Sequence, residues 1–192
     1  MNEDPKYRKA EPADAERIME IIRQAQAQMR ALGSLQWQDG YPARADIDRD
    51  IARGYGYVFE KSDAAENPAA AETPQKYDKG TVPGGVIAYG AVVFDGEPAY
   101  GAIDGAWLTG GDYVVLHRLA VADGEKGRGV AAEFMRRTEA LARGRGVGSF
   151  RVDTNFDNRY MLRMLERLRF AYCGKIIYES GERLAFEKPF EA

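Results

Sequence analysis

The fold of this chain is decided by the stretch HRLAVADGEKGRGVAAEFM, residues 117–135. It begins inside a longer run, DYVVLHRLAVA (112–122), whose two alternating faces are both mostly apolar. Such a run is typical of a central strand that is buried on both sides. A glycine-rich loop follows, and apolar side chains then recur at helical spacing from Val130 to Arg143. The pattern predicts a buried strand, a loop and a helix in succession.

The loop GEKGRG (124–129) favours an anionic ligand. The amide N–H groups in the first turn of a helix have no partners within the helix, and the helix dipole is positive there. Glycines let the backbone approach a phosphate closely, and Lys126 and Arg128 add positive charge. The loop is neither a P-loop nor the dinucleotide fingerprint, because it lacks the spacing of both. A helix-capping turn with solvated basic side chains would have the same sequence, so the loop alone leaves both interpretations open.

Outward from this stretch, the chain alternates between the periodicities of helices and strands. Helices are predicted over 13–32, 45–53, 130–143 and from about 158. Strands are predicted over 6–10, 55–60, 86–94, 112–122, 148–153, 170–178 and 183–188. The segment around Ile103 and Trp107 is either irregular or a short strand. The order of these elements indicates a mixed α/β domain.

One segment, SDAAENPAAAETPQKYDKGTVPG (62–84), differs in composition from the rest of the chain. It is rich in Ala, Pro and Glu and poor in large aliphatic residues. Such a segment cannot bury enough apolar surface to order itself. We therefore expect a flexible loop within one domain, 1–192, because the chain before the loop is too short for an independent domain.

Composition limits the possible functions. The formal net charge of −3 gives no positive field over the whole surface, so we expect no nucleic-acid partner unless a local basic patch exists. No apolar run is long enough to span a membrane, and the N-terminal residues MNEDPKYRKA lack the apolar core of a signal peptide. Cys173 and His117 are the only residues of their types. We therefore expect a cytoplasmic protein without a disulfide or a Cys/His metal site.

The strand, loop and helix resemble motif A of the GNAT superfamily of acyl-CoA-dependent N-acyltransferases. That motif reads Gln/Arg-x-x-Gly-x-Gly/Ala and follows a strand that ends in an apolar-x-Val pattern. In LAVADGEKGRGVAAEF (119–134), the signature positions are occupied by Lys126, Gly129 and Ala131. Lys126 departs from the usual Gln or Arg.

A second resemblance lies downstream. The stretch FRVDTNFDNRYMLRMLERLRFAYCG (150–174) is similar to motif B of the same superfamily, in which a strand and an Asn precede a helix that ends in Gly-Phe. Asn158 and Phe170 match this pattern, whereas Arg169 replaces the glycine. The two motifs lie at the expected separation and together cover residues 113–174.

The resemblance implies an α/β (α+β) fold with a mostly antiparallel central sheet, splayed central strands and flanking helices. It also implies acetyl-CoA as co-substrate and no metal. The CoA pyrophosphate would lie on the backbone amides of the glycine loop, the pantetheine arm beside the preceding strand, and the reactive end near Asn158. The residues so assigned to CoA binding are Leu119, Ala120, Val121, Lys126, Gly127, Arg128, Gly129, Val130, Ala131 and Asn158.

Acetyl transfer to an amine needs a general base. Alkyl amines are mostly protonated at neutral pH, and histidine is suited to remove the proton because it titrates near neutral pH. His117 lies on the strand just before the glycine loop. The segment from His117 to Val121 resembles the second half of the His-x-His-x-Leu-Ala-Val pattern in the arylalkylamine branch, with Val115 where the first histidine would be. The alternative is a core histidine that only hydrogen-bonds a neighbour.

The proton donor to the departing thiolate is less well defined. Many family members use a Tyr in the motif-B helix, and counting from Asn158 that position is Leu165 here. Tyr160, Tyr172 or a water could substitute. A thiol pKa near 8.5 also makes thiolate a tolerable leaving group. The developing oxyanion is expected to be stabilised by a backbone N–H near Leu119.

The acceptor pocket is predicted between the first two helices, where this superfamily usually shapes acceptor specificity. Trp37 and Tyr41 lie in that loop and either line an aromatic or cationic substrate pocket or plug the underside of the loop. A small-molecule primary amine is the favoured acceptor. A protein N-terminus or lysine, and a non-catalytic acyl-CoA-binding module, are the alternatives. A homodimer is also compatible with the sequence.

Overall fold

Eight strands form one sheet in the computed structural model, which describes residues 5–61 and 85–190. The strands are β1 (Lys6–Lys9), β2 (Gly56–Lys61), β3 (Gly85–Val93), β4 (Asp104–Gly105), β5 (Tyr113–Val121), β6 (Ser149–Thr154), β7 (Ala171–Tyr178) and β8 (Gly181–Pro189). Their order across the sheet is β1-β2-β3-β5-β6-β8-β7-β4. The helices are α1 (Ala15–Ala31), α2 (Arg44–Ala52), α3 (Val130–Gly144) and α4 (Arg159–Arg167).

The predicted mixed α/β architecture is confirmed. Each predicted helix and strand is present within a few residues of its expected bounds, and the segment between Ile103 and Trp107 contains the short strand β4. All neighbouring strands pair antiparallel except β5 and β6. The predicted flexible loop at 62–84 lies outside the described residues.

The helices cover both faces of the sheet. On one face, Phe59 and Phe150 pack with Phe134 of α3 and Leu165 of α4 in one buried cluster. On the other face, Val58 and Tyr89 belong to a second buried cluster. The helical residues of this cluster include Ile18, Ile21 and Ile22 of α1 and Ile47 of α2. Neighbouring residues of β2 therefore point into different cores, as the alternation along a strand requires.

The sheet splits at its centre. The parallel pair β5 and β6 is joined at Tyr113–Ser149, Val114–Phe150 and Val115–Arg151, and the pairing ends there. Both strands continue beyond that point, β5 to Val121 and β6 to Thr154. Because the strands part towards their carboxyl ends, a wedge-shaped gap opens between them. The predicted splay of the central strands is confirmed.

A β-bulge lies on β5 beside this gap. Ala91 pairs with His117 and Tyr89 with Ala120, so Arg118 and Leu119 together face Gly90 of β3. Arg118 has a φ of 58°, which is uncommon for a residue with a side chain. Residues 117–119 are only half-buried at the gap, so β5 is not buried along its whole length. The sequence had predicted full burial.

Helix α4 ends in a turn that favours glycine at position 169, where this chain has Arg169. The Phe170 N–H donates to the Leu165 carbonyl at 2.9 Å, and the Arg169 N–H donates to the Glu166 carbonyl at 3.0 Å. This is the Schellman arrangement, in which the residue that follows the C-cap takes a left-handed conformation. Arg169 has a φ of 64°, a conformation that glycine adopts without steric cost.

Replacing Arg169 with glycine is expected to stabilise the fold by about 1 kcal/mol, because it removes the strain of a left-handed residue that carries a side chain. Urea unfolding followed by circular dichroism measures the change. Arg163→Gly is the control, since it also removes an exposed arginine but places glycine in the middle of the helix, where a loss of about 1 kcal/mol is expected. Equal effects of the two changes would contradict the prediction.

Candidate active site

A cavity of about 920 Å³ lies at the gap between β5 and β6. Its walls come from both parted strands, the loop between α1 and α2, the segment that follows β3 and the hairpin between β7 and β8. The side chains that line it include Trp37, Tyr41, Asp50, Glu97, His117, Arg118, Asp153, Thr154, Asn158, Tyr178, Ser180 and Arg183.

His117 lies between two carboxylates in this cavity. Its Nε2 is 3.1 Å from Glu97 Oε2, and its Nδ1 is 3.9 Å from Asp153 Oδ1. Glu97 is fixed in turn, because its carboxylate accepts from the Ala99 N–H at 3.2 Å. The hydrogen bond from His117 lowers the pKa of Glu97, so the carboxylate stays ionised. The two carboxylates orient the imidazole.

Two tyrosines hold Asp153. The hydroxyl of Tyr100 donates to Asp153 Oδ1 at 2.6 Å, and that of Tyr178 donates to the same oxygen at 3.3 Å. Burial and the nearby charge of Asp153 raise the pKa of both tyrosines above its usual range. Both phenols therefore keep their protons at neutral pH, and Tyr178 presents a hydroxyl at the cavity wall.

Arg118 is anchored by a buried carboxylate. Asp50, which is 3% exposed, accepts from Arg118 Nε at 2.8 Å and from Arg118 Nη2 at 2.7 Å. The Tyr89 hydroxyl also donates to Asp50, at 2.6 Å. The remaining guanidinium nitrogen of Arg118 donates to the Tyr41 hydroxyl at 2.7 Å. This network fixes the bulge of β5 and places the Tyr41 ring at the cavity.

The loop between α1 and α2 is tied to the start of α4. Ser34 Oγ donates to Asp157 Oδ1 at 2.9 Å, and Asn158 Nδ2 donates to Gln36 Oε1 at 3.1 Å. Asn158 is also the N-cap of α4, since its Oδ1 accepts from the Met161 N–H at 3.2 Å. The loop therefore closes one side of the cavity. Trp37, in the same loop, lines the cavity and also packs on the core beneath it.

The glycine loop has the geometry of an anion site. Gly127 and Gly129 have φ values of 76° and 82°, and Gly129 is the N-cap of α3. Within the described ranges 5–61 and 85–190, no acceptor is bonded to the backbone N–H groups of residues 127–131. Lys126 is held back by Asp123 at 2.5 Å, and Arg128 extends into solvent. The main chain, more than the basic side chains, forms the site.

A second unpaired polar group lies at the gap. The hydroxyl of Thr154, at the end of β6, is buried and finds no hydrogen-bond partner among the residues that the structure describes. Buried polar atoms are normally paired, so an orphan at the wall of a cavity marks a place where a ligand fits. Together with the unpaired amides of the glycine loop, it fits a long ligand with a phosphate at one end and polar groups along its length.

The model of the acetyltransferase (GNAT) family matches residues 29–170. The chain belongs to the GNAT family. A GNAT acetyltransferase from Streptococcus agalactiae has 33% sequence identity and a TM-score of 0.78, over 100% of this chain and 99% of that one. It follows that this chain is an acyl-CoA-dependent N-acetyltransferase. No curated protein matches the sequence closely enough to count as a relative.

More distant GNAT structures share the fold. One from Listeria monocytogenes has 19% identity and a TM-score of 0.69, over 97% of this chain and 95% of that one. The NatC complex, solved with a Gag peptide and CoA, has 13% identity and a TM-score of 0.61, over 98% of this chain and 100% of that one. The fold is thus shared with a complex that was solved with both a peptide and CoA bound.

Two residues predicted as proton donors lie away from the cavity. Tyr160 is 60% exposed and Tyr172 is 56% exposed, and neither lines the cavity. Leu165, at the position of the usual GNAT tyrosine, is fully buried in the core. By contrast, His117, Trp37, Tyr41, Leu119 and Asn158 are brought together at the cavity walls.

Sequence reasoning missed three residues that surround His117: Glu97, Asp153 and Tyr178. They come from the segment after β3, from β6 and from β7, and no local motif connects them. The signal that could have found Asp153 is a charged residue at the end of the strand predicted over 148–153. A polar residue there must face the gap or a neighbouring layer.

The described residues contain neither a cluster suited to a metal ion nor a helix suited to a membrane. Across 5–61 and 85–190, no group of three or more His, Cys, Asp and Glu side chains is placed to hold a metal ion. In the same part of the chain, none of the helices has both the length and the apolar character needed to cross a membrane.

Proposed function

We propose that this chain transfers an acetyl group from acetyl-CoA to the primary amine of a small molecule, with His117 as general base. The observation that carries the proposal is the position of His117 between Glu97 and Asp153, in the cavity where β5 and β6 part. Segments from the α1–α2 loop, the strands and the β7–β8 hairpin bound that cavity. Walls on several sides favour a compact acceptor over an extended peptide.

The residues for CoA binding are those of the glycine loop and of β5. The amides of residues 127–131 would hold the pyrophosphate, and Leu119 to Val121 would run beside the pantetheine arm, with Thr154 opposite. When bound, acetyl-CoA supplies a thioester whose carbonyl carbon is open to attack. Asn158 already caps α4, so we propose that it positions the helix start next to the reactive end.

The chemical step uses His117 and its carboxylates. Glu97 and Asp153 attract the ammonium form of the acceptor, and His117 takes one proton from it. The neutral nitrogen then forms a bond to the acetyl carbon and the carbon–sulfur bond breaks. The sulfur leaves as thiolate, and the second proton that the nitrogen must lose passes to this thiolate or to water. The bulge at Leu119 leaves backbone groups out of the ladder, and one N–H there would stabilise the charge that grows on the carbonyl oxygen.

For the proton that the thiolate takes up, Tyr178 is a third candidate beside Tyr160 and Tyr172. It alone of the three lines the cavity. Its hydroxyl donates to Asp153 at the long distance of 3.3 Å, so we propose that it exchanges this hydrogen bond for one to the leaving sulfur. Water supplies the proton afterwards, because a thiol pKa near 8.5 makes full protonation unnecessary for departure.

A CoA-release assay over a panel of amines tests the proposal. We expect turnover with small primary amines and little with peptides that carry a free N-terminus or lysine. Turnover with peptides alone would instead indicate a protein acetyltransferase. Binding of acetyl-CoA without turnover on any acceptor would indicate a non-catalytic acyl-CoA-binding module and would overturn the proposal.

The glycine loop provides a separate prediction. Gly129→Ala is expected to raise the KM for acetyl-CoA about 10-fold, with kcat retained at saturation, because an alanine at a φ of 82° costs about 1–2 kcal/mol and shifts the amides. Steady-state kinetics measure both constants. Gly144→Ala, at the other end of α3, is the control and should leave both constants unchanged. A similar KM for the two variants would exclude these amides as the pyrophosphate site.

A further inference from the structure

Most of the charged side chains that line the cavity are paired with another side chain, whereas Arg53 and Asp39 in the lining are exposed, so water screens their charges. Arg118 is bonded to Asp50. Arg49, which also lines the cavity, lies 3.2 Å from Asp46, which does not. Glu97 and Asp153 flank His117. These groups are therefore accounted for by the fold or by the proposed base.

Arg183 is different. Within the described part of the chain, its guanidinium makes no ion pair and instead donates to the Glu182 carbonyl at 3.0 Å and to Ser180 Oγ at 3.2 Å. The neighbouring carboxylate of Glu182 is bonded to Lys175. Arg183 is half-buried and lines the cavity together with Ser180. A guanidinium that is partly withdrawn from water without a counter-charge is a ready site for an anion.

Tyr178 separates this cation from the carboxylates at the base. The Tyr178 hydroxyl is 3.3 Å from Asp153, and the Arg183 guanidinium carbon is 6.0 Å from the centre of the Tyr178 ring. The cavity wall thus has a negative end at Glu97 and Asp153 and a positive end at Arg183, with one tyrosine side chain between them. A molecule whose opposite charges are separated by about the length of a tyrosine side chain matches that wall.

We propose that the acceptor carries an anionic oxygen group, a carboxylate or a phosphate, in addition to its amine, and that Arg183 with Ser180 binds this group. The inference rests on the proposed function, because it assigns the acceptor of the same cavity. The amine end lies at Glu97, Asp153 and His117, and the anionic end lies at the β7–β8 hairpin. Arg183 fixes the distance between the amine and the base and so selects acceptors.

Matched pairs of amines test the inference: glycine and glycinamide, γ-aminobutyrate and its amide, and O-phosphoethanolamine and ethanolamine. Isothermal titration calorimetry in the presence of CoA gives their affinities, and a CoA-release assay gives their kcat/KM. At least one anionic member is expected to bind about 10- to 100-fold more tightly than its neutral partner. The carboxylate and phosphate pairs distinguish the two anions.

Variants at the hairpin make the test specific. Arg183→Gln should remove the preference by weakening the anionic acceptor about 10- to 100-fold, while the neutral partner is unchanged. The affinity of Arg183→Lys for the anionic acceptor should fall between those of the wild type and Arg183→Gln. Lysine keeps the charge but loses the bidentate geometry of the guanidinium. Arg23→Gln, exposed on α1 and outside the cavity lining, is the matched control and should behave as wild type.

The outcomes separate the two proposals. Anion-selective binding that depends on Arg183, without turnover of any amine, supports the inference and overturns the proposed function. Turnover of neutral and anionic amines alike, or an Arg183→Gln variant that weakens both members of a pair equally, overturns the inference and leaves the proposed function standing. Failure of all six compounds to bind in the presence of CoA overturns the inference as well.

Discussion

Replacing His117 with alanine is expected to lower kcat by about 10²- to 10⁴-fold, because the acceptor then loses the group that removes its proton. The affinity for acetyl-CoA should be unchanged, since the glycine-loop amides that we assign to the pyrophosphate do not depend on this side chain. Steady-state CoA release gives kcat, and calorimetry gives the affinity. An unchanged kcat would exclude His117 as the base.

The pH dependence separates a catalytic from a structural role for His117. An alkyl amine loses its own proton near pH 10, so the defect of His117→Ala should shrink as the pH rises towards that value. A variant that is merely misfolded would keep a constant defect at every pH. Glu97→Gln is the companion change: it keeps the imidazole and removes only the carboxylate that is bonded to it, so its loss of kcat should be smaller.

Local features of the sequence predicted most of the fold. The apolar run of β5, the glycine loop and the apolar face of α3 are continuous in the chain, so their periodicity and spacing contain the structure. The same holds for α4, whose start at Asn158 is fixed by a local cap. The departure at Arg169 was visible as a substitution, and its consequence, a left-handed residue, follows from the turn that ends the helix.

The surroundings of His117 could not be predicted in this way. Glu97 is 20 positions away along the chain, and Asp153 is brought to His117 only because β5 and β6 are parallel neighbours. The positive φ of Arg118 likewise depends on Asp50, 68 positions away. Such contacts depend on the order of the strands in the sheet and on the point where strand pairing ends. Neither can be predicted from the spacing of residues along the chain. This is why local spacing indicated Tyr160 and Tyr172 as candidate proton donors, whereas Tyr178 becomes a candidate only through its place in the cavity lining.

The largest expected loss of stability comes from Asp50→Ala. The substitution removes the carboxylate that accepts from Arg118 twice and from Tyr89 once, and it leaves a guanidinium that is largely buried without its counter-charge. Breaking a buried pair in this way costs about 3–5 kcal/mol. Urea unfolding followed by circular dichroism measures the free energy of unfolding.

Two companion variants identify the cause of that loss. Asp48→Ala, on the same helix, breaks only an exposed pair with Arg44 and should leave the free energy of unfolding nearly unchanged. The double substitution Asp50→Leu with Arg118→Met removes both charges and should recover part of the stability, because no unpaired charge remains and only the Tyr89 hydroxyl loses its acceptor. A double variant as unstable as Asp50→Ala would instead assign the loss to packing.

The same pair connects stability to the cavity. Asp50 holds Arg118 in its left-handed conformation, and that bulge is what turns residues 117–119 towards the gap. A partly stable Asp50→Asn variant should therefore lose kcat at temperatures where it remains folded, since His117 and Leu119 would no longer be held in place. If Asp50→Asn keeps full activity while losing stability, the bulge is not what positions the base.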